Sequence, residues 1–313
     1  MTFIDPRLTE RRNPRTAEID LASPLEIVDL INTEDRTIPH VVATQREAIA
    51  RAIDKAEATF RAGGRLFYVG AGTSGRLGVL DASECTPTFG VDPEMVQGII
   101  AGGPKALTRS QEGAEDRIES AVEDLAERRV RAGDFVIGIA ASGTTPYVRR
   151  ALEYARSIGA ATGLVACSPP PQDTLDVVDI LILPITGPEV VTGSTRMKAG
   201  TATKMVLNMI TTGAMIRLGK TYGNLMVDLR ASNNKLIDRS ERILMEVCEV
   251  DRAHARQLLD ASGGIVKTAI VMHFLHIPRD EAERALEDGS GVIRRIVHRP
   301  PPPVGGPSPT TPP

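Results

Sequence analysis

Five short apolar runs recur along the first two thirds of the chain, and amphipathic stretches separate them. The runs predict β-strands over residues 66–69, 95–101, 135–141, 162–167 and 180–184. The run that begins at Phe135 is continuously apolar, which is typical of a central parallel strand covered on both faces. Strands that alternate with helices in this way predict an α/β fold with a doubly wound parallel sheet.

Apolar positions between and before these runs recur at helical spacing. Ser23 and Pro24 are typical of an N-cap and a first helical position, and they predict a short helix through residue 31. After the first strand, apolar positions at 77–80 predict a helix, and residues 86–90 predict a turn-rich loop. Longer helices are predicted over residues 39–62, 110–129, 146–155 and 195–218.

The remaining segments suggest four parts in the chain. Residues 1–57 are predicted to form an N-terminal segment, in which residues 1–22 are a loosely held arm and helices follow. Residues 58–221 contain the predicted sheet. Residues 222–298 carry no clear strand pattern between 236 and 297 and predict a small helical subdomain. Residues 299–313 are rich in proline, glycine, serine and threonine, and predict a disordered tail.

The composition of the chain limits the kinds of molecule that the protein is expected to bind. The 313 residues carry a formal net charge of -3 with acids and bases interspersed, so neither nucleic acid nor an anionic membrane surface is expected. The three cysteines lack metal-ligand spacing, and no stretch approaches the roughly 20 apolar residues of a membrane span. We expect a cytoplasmic protein that binds a small molecule and holds no metal.

The first strand is followed by Gly70-x-Gly72-x-x-Gly75, with hydroxyls on Thr73 and Ser74. Such a loop presents backbone N–H groups and a helix N-terminus to an anion. A dinucleotide is disfavoured because the second strand ends in Ala101-Gly102-Gly103, without the acid that binds ribose. No lysine follows the glycines as a nucleoside triphosphate loop requires. A compact sugar phosphate fits better.

Two more hydroxyl-bearing loops follow the strands at 135–141 and 180–184, and the carboxyl ends of parallel strands share one edge of the sheet. We expect the three loops to form one cradle, with Arg196 and Lys198 neutralising phosphate or a substrate carboxylate. The predicted ligand-binding residues are Gly72, Thr73, Ser74, Gly75, Ser142, Gly143, Thr144, Ser194, Thr195, Arg196 and Lys198.

Several longer motifs occur together. They are the stretch from Gly70 to Cys85, Glu112-Gly-Ala-Glu-Asp116, Ala140-Ala-Ser-Gly143, Thr192-Gly-Ser-Thr-Arg196 and Gly223-Asn-Leu-Met-Val-Asp228. In this order they resemble the N-acetylmuramic acid 6-phosphate etherase family, which has a sugar isomerase (SIS) domain and is related to glucokinase regulatory protein. The resemblance spans residues 8–296. Thr144 stands where that family commonly has arginine, and Thr86 where it commonly has proline.

The resemblance implies a homodimeric cytoplasmic bacterial enzyme of peptidoglycan recycling and amino-sugar catabolism. Its expected reaction cleaves the lactyl ether of N-acetylmuramic acid 6-phosphate, giving N-acetylglucosamine 6-phosphate and D-lactate. Elimination across C2 and C3 of the open-chain sugar, followed by addition of water, needs an acid and a base and no redox cofactor or metal.

Glu84 and Glu115 are the predicted catalytic residues. Glu115 is expected near the start of the 110–129 helix, where the macrodipole favours a carboxylate and hence a base. Partial burial is expected to favour the protonated form of Glu84, the proton donor. Which glutamate is acid and which is base stays open. The alternatives are an aldose-ketose sugar-phosphate isomerase and a non-catalytic sugar-phosphate sensor, which one set of cradle loops disfavours.

Overall fold

The computed structural model describes residues 5, 7–228 and 234–303. Five strands form a parallel sheet: β1 Leu66–Gly70, β2 Val96–Ile100, β3 Phe135–Ile139, β4 Ala161–Val165 and β5 Ile180–Ile182. Their order is β2-β1-β3-β4-β5, in which Leu66 pairs with both Val96 and Phe135. The doubly wound α/β fold predicted from the apolar runs is confirmed.

Helices precede, connect and follow the strands of this sheet. They are α1 Pro24–Asp35, α2 Ile38–Ala43, α3 Arg46–Arg61, α4 Gly72–Phe89, α5 Lys105–Thr108, α6 Ile118–Glu127, α7 Pro146–Ser157, α8 Gln172–Leu175 and α9 Lys198–Arg217. A two-stranded hairpin, β6 Thr221–Tyr222 and β7 Leu225–Met226, follows, with α10 Asn234–Cys248, α11 Arg252–Ala261, α12 Val266–Leu275, α13 Arg279–Asp288 and α14 Ile293–Val297.

The core of the sheet is apolar on both faces. All five residues of β1 and of β3 are buried, as the continuous run in the sequence predicts for central parallel strands. On one face the residues of β1 pack closely against α4: a Cβ placed on Gly78 would lie 2.8 Å from Tyr68 Cβ. Glycine at position 78 therefore lets α4 approach β1, and this approach fixes the helix that begins in the first loop.

The chain folds into two compact units, residues 1–84 with 92–214 and residues 85–91 with 215–313. In the second unit, α10 to α14 enclose a core in which Leu244, Ala269 and Ile270 are fully buried. The short helices predicted for this region are confirmed. The hairpin was not predicted, although Gly223 and Asn224 form the two-residue turn that joins its strands.

Two predicted helices differ in extent. The helix over 39–62 is two helices, because the Thr44 hydroxyl donates to the Val41 carbonyl (2.7 Å) and Gln45 Oε1 accepts the Leu183 N–H (3.0 Å). The N-cap at Ser23 is confirmed as a capping box with Glu26, but α1 runs to Asp35.

The predicted loop over 86–90 is wrong, because α4 continues to Phe89. Pro87 lacks only one backbone donor, and the helix ends where Gly90 takes a positive φ of 63° and its N–H reaches the Thr86 carbonyl (2.9 Å).

The predicted tail falls mostly outside the described residues, since residues 304–313 are not described. Its first residue, Arg299, accepts a hydrogen bond from the Tyr222 hydroxyl through its carbonyl (2.7 Å).

Candidate active site

The candidate site lies at the carboxyl edge of the sheet, where the loops after β1 and β3 leave neighbouring strands. From β1 the next strand, β2, lies on one side of the pair, and from β3 the next strands, β4 and β5, lie on the other side. The pair is therefore the topological switch point of the sheet. Ligands of open α/β sheets bind in the crevice at such a point. Two of the three hydroxyl-bearing loops therefore begin where this fold places a ligand.

The first loop, Ala71–Gly75, turns tightly into α4. A Cβ on Gly75 would lie 2.6 Å from the Gly70 carbonyl oxygen, and Gly72 has a positive φ of 52°, so both positions favour glycine. Because α4 begins at Gly72, Thr73 and Ser74 lie in its first turn. The free N–H groups of that turn and the two hydroxyls form the donor set that suits a phosphate.

A cavity of about 310 Å³ opens beside the first loop. Gly72 and Arg76 line one side, and Glu112 and Glu115 line the other. The Arg76 side chain is held by the Leu107 carbonyl (Nε to O, 3.1 Å). The fold thus brings Glu115 to the first loop, although the two lie in different crossovers of the chain. Arg76 was not assigned a role from the sequence, although it lies in the first long motif.

Glu115 does not lie in the first turn of a helix. It belongs to a 3-10 turn, Ala114–Asp116, while α6 begins only at Ile118. Gly113 takes a left-handed conformation (φ 68°) and Arg117 a non-helical one, and both interrupt the predicted 110–129 helix. The macrodipole argument for a charged Glu115 is therefore not supported, and its placement rests on the cavity instead.

Glu84 is exposed on α4 and is not among the residues that line the cavity. Twelve positions of α4 separate it from Gly72, which places the two Cα atoms about 18 Å apart along the helix. The predicted partial burial of Glu84 is wrong for the single chain. One chain brings Glu115, but not Glu84, to the first loop.

The second loop, Ala140–Thr145, is braced by its own polar groups. The hydroxyls of Ser142 and Thr144 lie 3.0 Å apart, and the Thr144 N–H donates to Ser142 Oγ (3.3 Å). Gly143 has a positive φ of 75°, and its backbone lies against the segment after β4, since a Cβ there would meet the Ser168 carbonyl oxygen at 2.9 Å. Ser142 and Thr144 are thus presented on a rigid turn.

The third loop reaches the first loop at the start of α9. A Cβ placed on Gly200 would lie 3.4 Å from the Thr195 carbonyl oxygen and 3.7 Å from Thr73 Cγ2. Ser194 forms a turn in which its N–H donates to the Val191 carbonyl (3.0 Å), and Arg196 is exposed beside it. The start of α9, which follows the third loop, therefore lies beside Thr73 of the first loop, and the shared cradle stays a prediction.

Lys198 has a different partner from the one predicted. Its ammonium donates to Glu34 Oε2 (2.6 Å), and the two side chains are 2% and 3% exposed. Arg15 also pairs with Glu34, and its guanidinium together with the Lys198 ammonium lowers the pKa of that carboxyl from 4.5 to about 2. Lys198 is therefore already neutralised inside the protein, and this geometry does not support its predicted contact with a ligand.

Glu189 is a buried acid that the sequence did not single out. Its carboxylate accepts the N–H groups of Lys198 and Ala199, both at 2.9 Å, and so caps the N-terminus of α9. Burial raises the pKa of Glu189. No motif surrounds this residue, and only the fold places it at the helix end.

Curated relatives match this chain over nearly its whole length. The N-acetylmuramic acid 6-phosphate etherase of Rhodopirellula baltica is 56% identical over 93% of this chain and 96% of the relative. Those of Gloeobacter violaceus and Klebsiella aerogenes are 55% and 51% identical, over 91% and 93% of this chain and 93% and 96% of the relatives. The chain belongs to the N-acetylmuramic acid 6-phosphate etherase family.

The resemblance drawn from the motifs is thereby confirmed. A family model described as the glucokinase regulatory protein N-terminal SIS domain also matches residues 48–156, which include the first two hydroxyl-bearing loops and Glu115. Among the described residues, no group of three or more His, Cys, Asp or Glu side chains is arranged to hold a metal ion. Within the same residues, no helix combines the length and apolarity of a membrane span.

Proposed function

We propose that this protein is a carbon-oxygen lyase that cleaves the D-lactyl ether of N-acetylmuramic acid 6-phosphate. The products are N-acetylglucosamine 6-phosphate and D-lactate. The observation that carries this proposal is the identity of 51–56% to relatives of that name over at least 91% of the chain. The cradle of hydroxyls and helix N-terminal amides at the switch point fits the phosphate of such a substrate.

The reaction requires one proton to leave carbon and another to reach oxygen. In the open-chain sugar the C1 aldehyde acidifies the C2 proton, which a carboxylate removes. The electron pair forms the C2–C3 double bond as the C3–O bond breaks, and a carboxylic acid protonates the departing lactate oxygen. Water then adds at C3, so the atoms balance without an oxidant or reductant.

We assign the base to Glu115, because it lines the cavity beside the first loop. Thr73 and Ser74 of the first loop, with Ser142 and Ser194, are assigned to hold the substrate through its phosphate and hydroxyls. These contacts act on ground state and transition state alike, so they are expected to set KM rather than kcat.

We assign the acid to Glu84 of a second copy of the chain. In one chain Glu84 lies about 18 Å along α4 from the first loop and is exposed to solvent. One turn before it, Leu80 is 51% exposed, so the same stretch of helix presents an apolar side chain to solvent. We therefore infer a homodimer in which this stretch is covered, Leu80 is buried and Glu84 reaches the partner's cavity.

We also propose that the enzyme works in the cytoplasm. Three cysteines, Cys85, Cys167 and Cys248, are buried thiols that form no disulfide, and burial raises the pKa of the Cys167 thiol to about 12. Cysteines that stay reduced are typical of a reducing compartment.

The proposal is tested with purified protein and N-acetylmuramic acid 6-phosphate. D-lactate is measured with a coupled D-lactate dehydrogenase, and N-acetylglucosamine 6-phosphate by chromatography. Equal amounts of the two products are expected. No D-lactate under conditions in which a relative of this family is active contradicts the lyase assignment, and conversion of an aldose phosphate to its ketose instead would support an isomerase.

A further inference from the structure

Residues 7–22, here called the N-terminal arm, pack against later segments of the first unit, to which they belong. Within the arm, Thr9, Asn13 and Thr16 are 0%, 4% and 5% exposed, although they lie in short 3-10 turns outside any long helix. The sequence predicted a loosely held arm. That prediction is wrong because the Leu8 backbone and the Thr16 hydroxyl form hydrogen bonds with residues that lie 160 or more positions away.

The partners of the arm lie in the segments that form the candidate site. The Gly193 N–H, in the third loop, donates to the Thr9 carbonyl (3.2 Å). The Thr16 hydroxyl donates to the Val190 carbonyl (2.8 Å), a few residues earlier in the same connection. The arm therefore fixes the connection between β5 and α9 at two points just before Ser194.

A third bond connects the arm to the second loop. The Leu8 N–H donates to Ser168 Oγ (2.9 Å), and Ser168 is fully buried. The backbone of Ser168 lies directly against Gly143, as the 2.9 Å approach of its carbonyl oxygen to a Cβ at that position indicates. Movement of the arm would thus disturb the segment against which the second loop rests.

Ion pairs and hydrogen bonds of Glu34 and Glu189 connect the arm, α1 and α9. Glu34, at the end of α1, accepts Lys198 Nζ (2.6 Å) from the first position of α9 and also pairs with Arg15 of the arm. Glu189 caps the same end of α9 through two backbone N–H groups. Breaking one partner of the buried Lys198–Glu34 pair would leave an uncompensated charge, so this pair joins α1 to α9 firmly, and Arg15, whose side chain is 63% exposed, adds a link from the arm to the same carboxylate.

We propose that the N-terminal arm is a positioning element of the sugar-phosphate site, which holds the second and third loops in register for the ligand. The inference rests on the proposed function for the identity of the ligand. It assigns the arm no contact with the reacting atoms. The arm acts through Gly193 and Ser168, and its loss should weaken binding of the substrate more than it slows turnover.

The test is Thr16→Val, which removes one arm-to-loop hydrogen bond at nearly constant volume. Thr162→Val is the control for lost stability alone, because the buried Thr162 hydroxyl also donates to a carbonyl, that of Val177 (2.8 Å), but lies at the amino end of β4, away from the loops. It bonds Asp179 as well, so this variant should lose at least as much stability as Thr16→Val. Both variants should lose thermal stability. Only Thr16→Val should raise KM for N-acetylmuramic acid 6-phosphate, by about tenfold, with kcat changed less than about threefold.

Equal KM values in Thr16→Val and Thr162→Val overturn the inference, and so does a fall in kcat alone. If the wild-type protein releases no D-lactate, the proposed function fails separately. The affinities of both variants for N-acetylglucosamine 6-phosphate, measured by calorimetry, then decide the inference.

Hydrogen exchange of the wild-type protein provides a second test of the inference. This test does not depend on whether a variant folds. Saturating N-acetylglucosamine 6-phosphate should slow exchange in peptides of the arm as well as in the first loop, because docking and ligand binding stabilise each other. A peptide of α13, in the second unit, serves as the internal reference. Protection of the first loop with no change in the arm contradicts the inference.

Discussion

A site shared between two copies of the chain predicts complementation between two inactive variants. Glu84→Ala and Glu115→Ala should each abolish D-lactate release as homodimers, by a factor of at least about 100, since each removes one of the two proposed proton-transfer groups. Affinity for N-acetylglucosamine 6-phosphate should change by less than about tenfold in both, because the cradle is intact.

The expected activity of the mixed dimer follows from the placement of the two acids. Glu115 lines the cavity of its own chain, whereas Glu84 lies about 18 Å along α4 from that chain's first loop. A dimer of one Glu84→Ala chain and one Glu115→Ala chain then has one site that lacks both acids and one that has both. Its turnover should be about half that of the wild-type dimer.

The assay uses two affinity tags. The variants are co-expressed with different tags, the mixed dimer is isolated by sequential purification, and D-lactate release is measured per dimer. The reciprocal control is a mixed dimer of a wild-type chain and a chain carrying both Glu84→Ala and Glu115→Ala. In a shared arrangement each of its sites lacks one acid, so it should be inactive.

The opposite pair of results would refute the reasoning. If each chain supplied both of its own acids, the first mixed dimer would be inactive and the second would have half of the wild-type turnover. A chain that light scattering shows to be monomeric at the assay concentration, yet fully active, would also exclude the shared site.

Three further predictions follow from single contacts. Ser74→Ala should raise KM about tenfold with little change in kcat, by steady-state kinetics, and a pure loss of kcat would contradict a ground-state role. Gly98→Ala should lower the free energy of unfolding by at least about 2 kcal/mol in urea titrations, because its Cβ would lie 2.5 Å from Val79 Cα; unchanged stability would contradict the close packing. Arg15 and, after it, Lys198 lower the pKa of Glu34 from 4.5 to about 2, so these interactions stabilise the fold above pH 4.5 and are lost as pH falls towards 2. Glu34→Gln should remove roughly 3 kcal/mol of this pH dependence in acid unfolding measurements, and equal dependence in both proteins would contradict it.

Local patterns predicted the strands and the first loop well. The apolar run at 135–141 predicts a buried parallel strand because a sheet covered on both faces tolerates no polar side chain there, and β3 is fully buried. The glycines at 70, 72 and 75 predict a tight turn because backbone contacts within that turn exclude a Cβ. Both features depend on neighbours within a few residues.

Helix ends were predicted less well, because distant contacts compete with local propensity. The Gln45 side chain, which interrupts the 39–62 helix, is fixed by Leu183, 138 residues away. The 3-10 turn that carries Glu115 depends on a left-handed Gly113, which a pattern of apolar positions does not reveal.

The sequence by itself determined the parallel sheet, the hydroxyl-bearing loops and the family. These follow from short-range periodicity, from glycine geometry and from long motifs in a fixed order. Tertiary structure alone decided where the charged side chains lie: Lys198 pairs with Glu34 across 164 residues and is buried, Glu115 lines the cavity, and Glu84 stays exposed. A buried charge needs a partner whose attraction offsets the free-energy cost of removing the charge from water. Which partner lies within reach depends on how the chain packs and not on the residues beside it in the sequence.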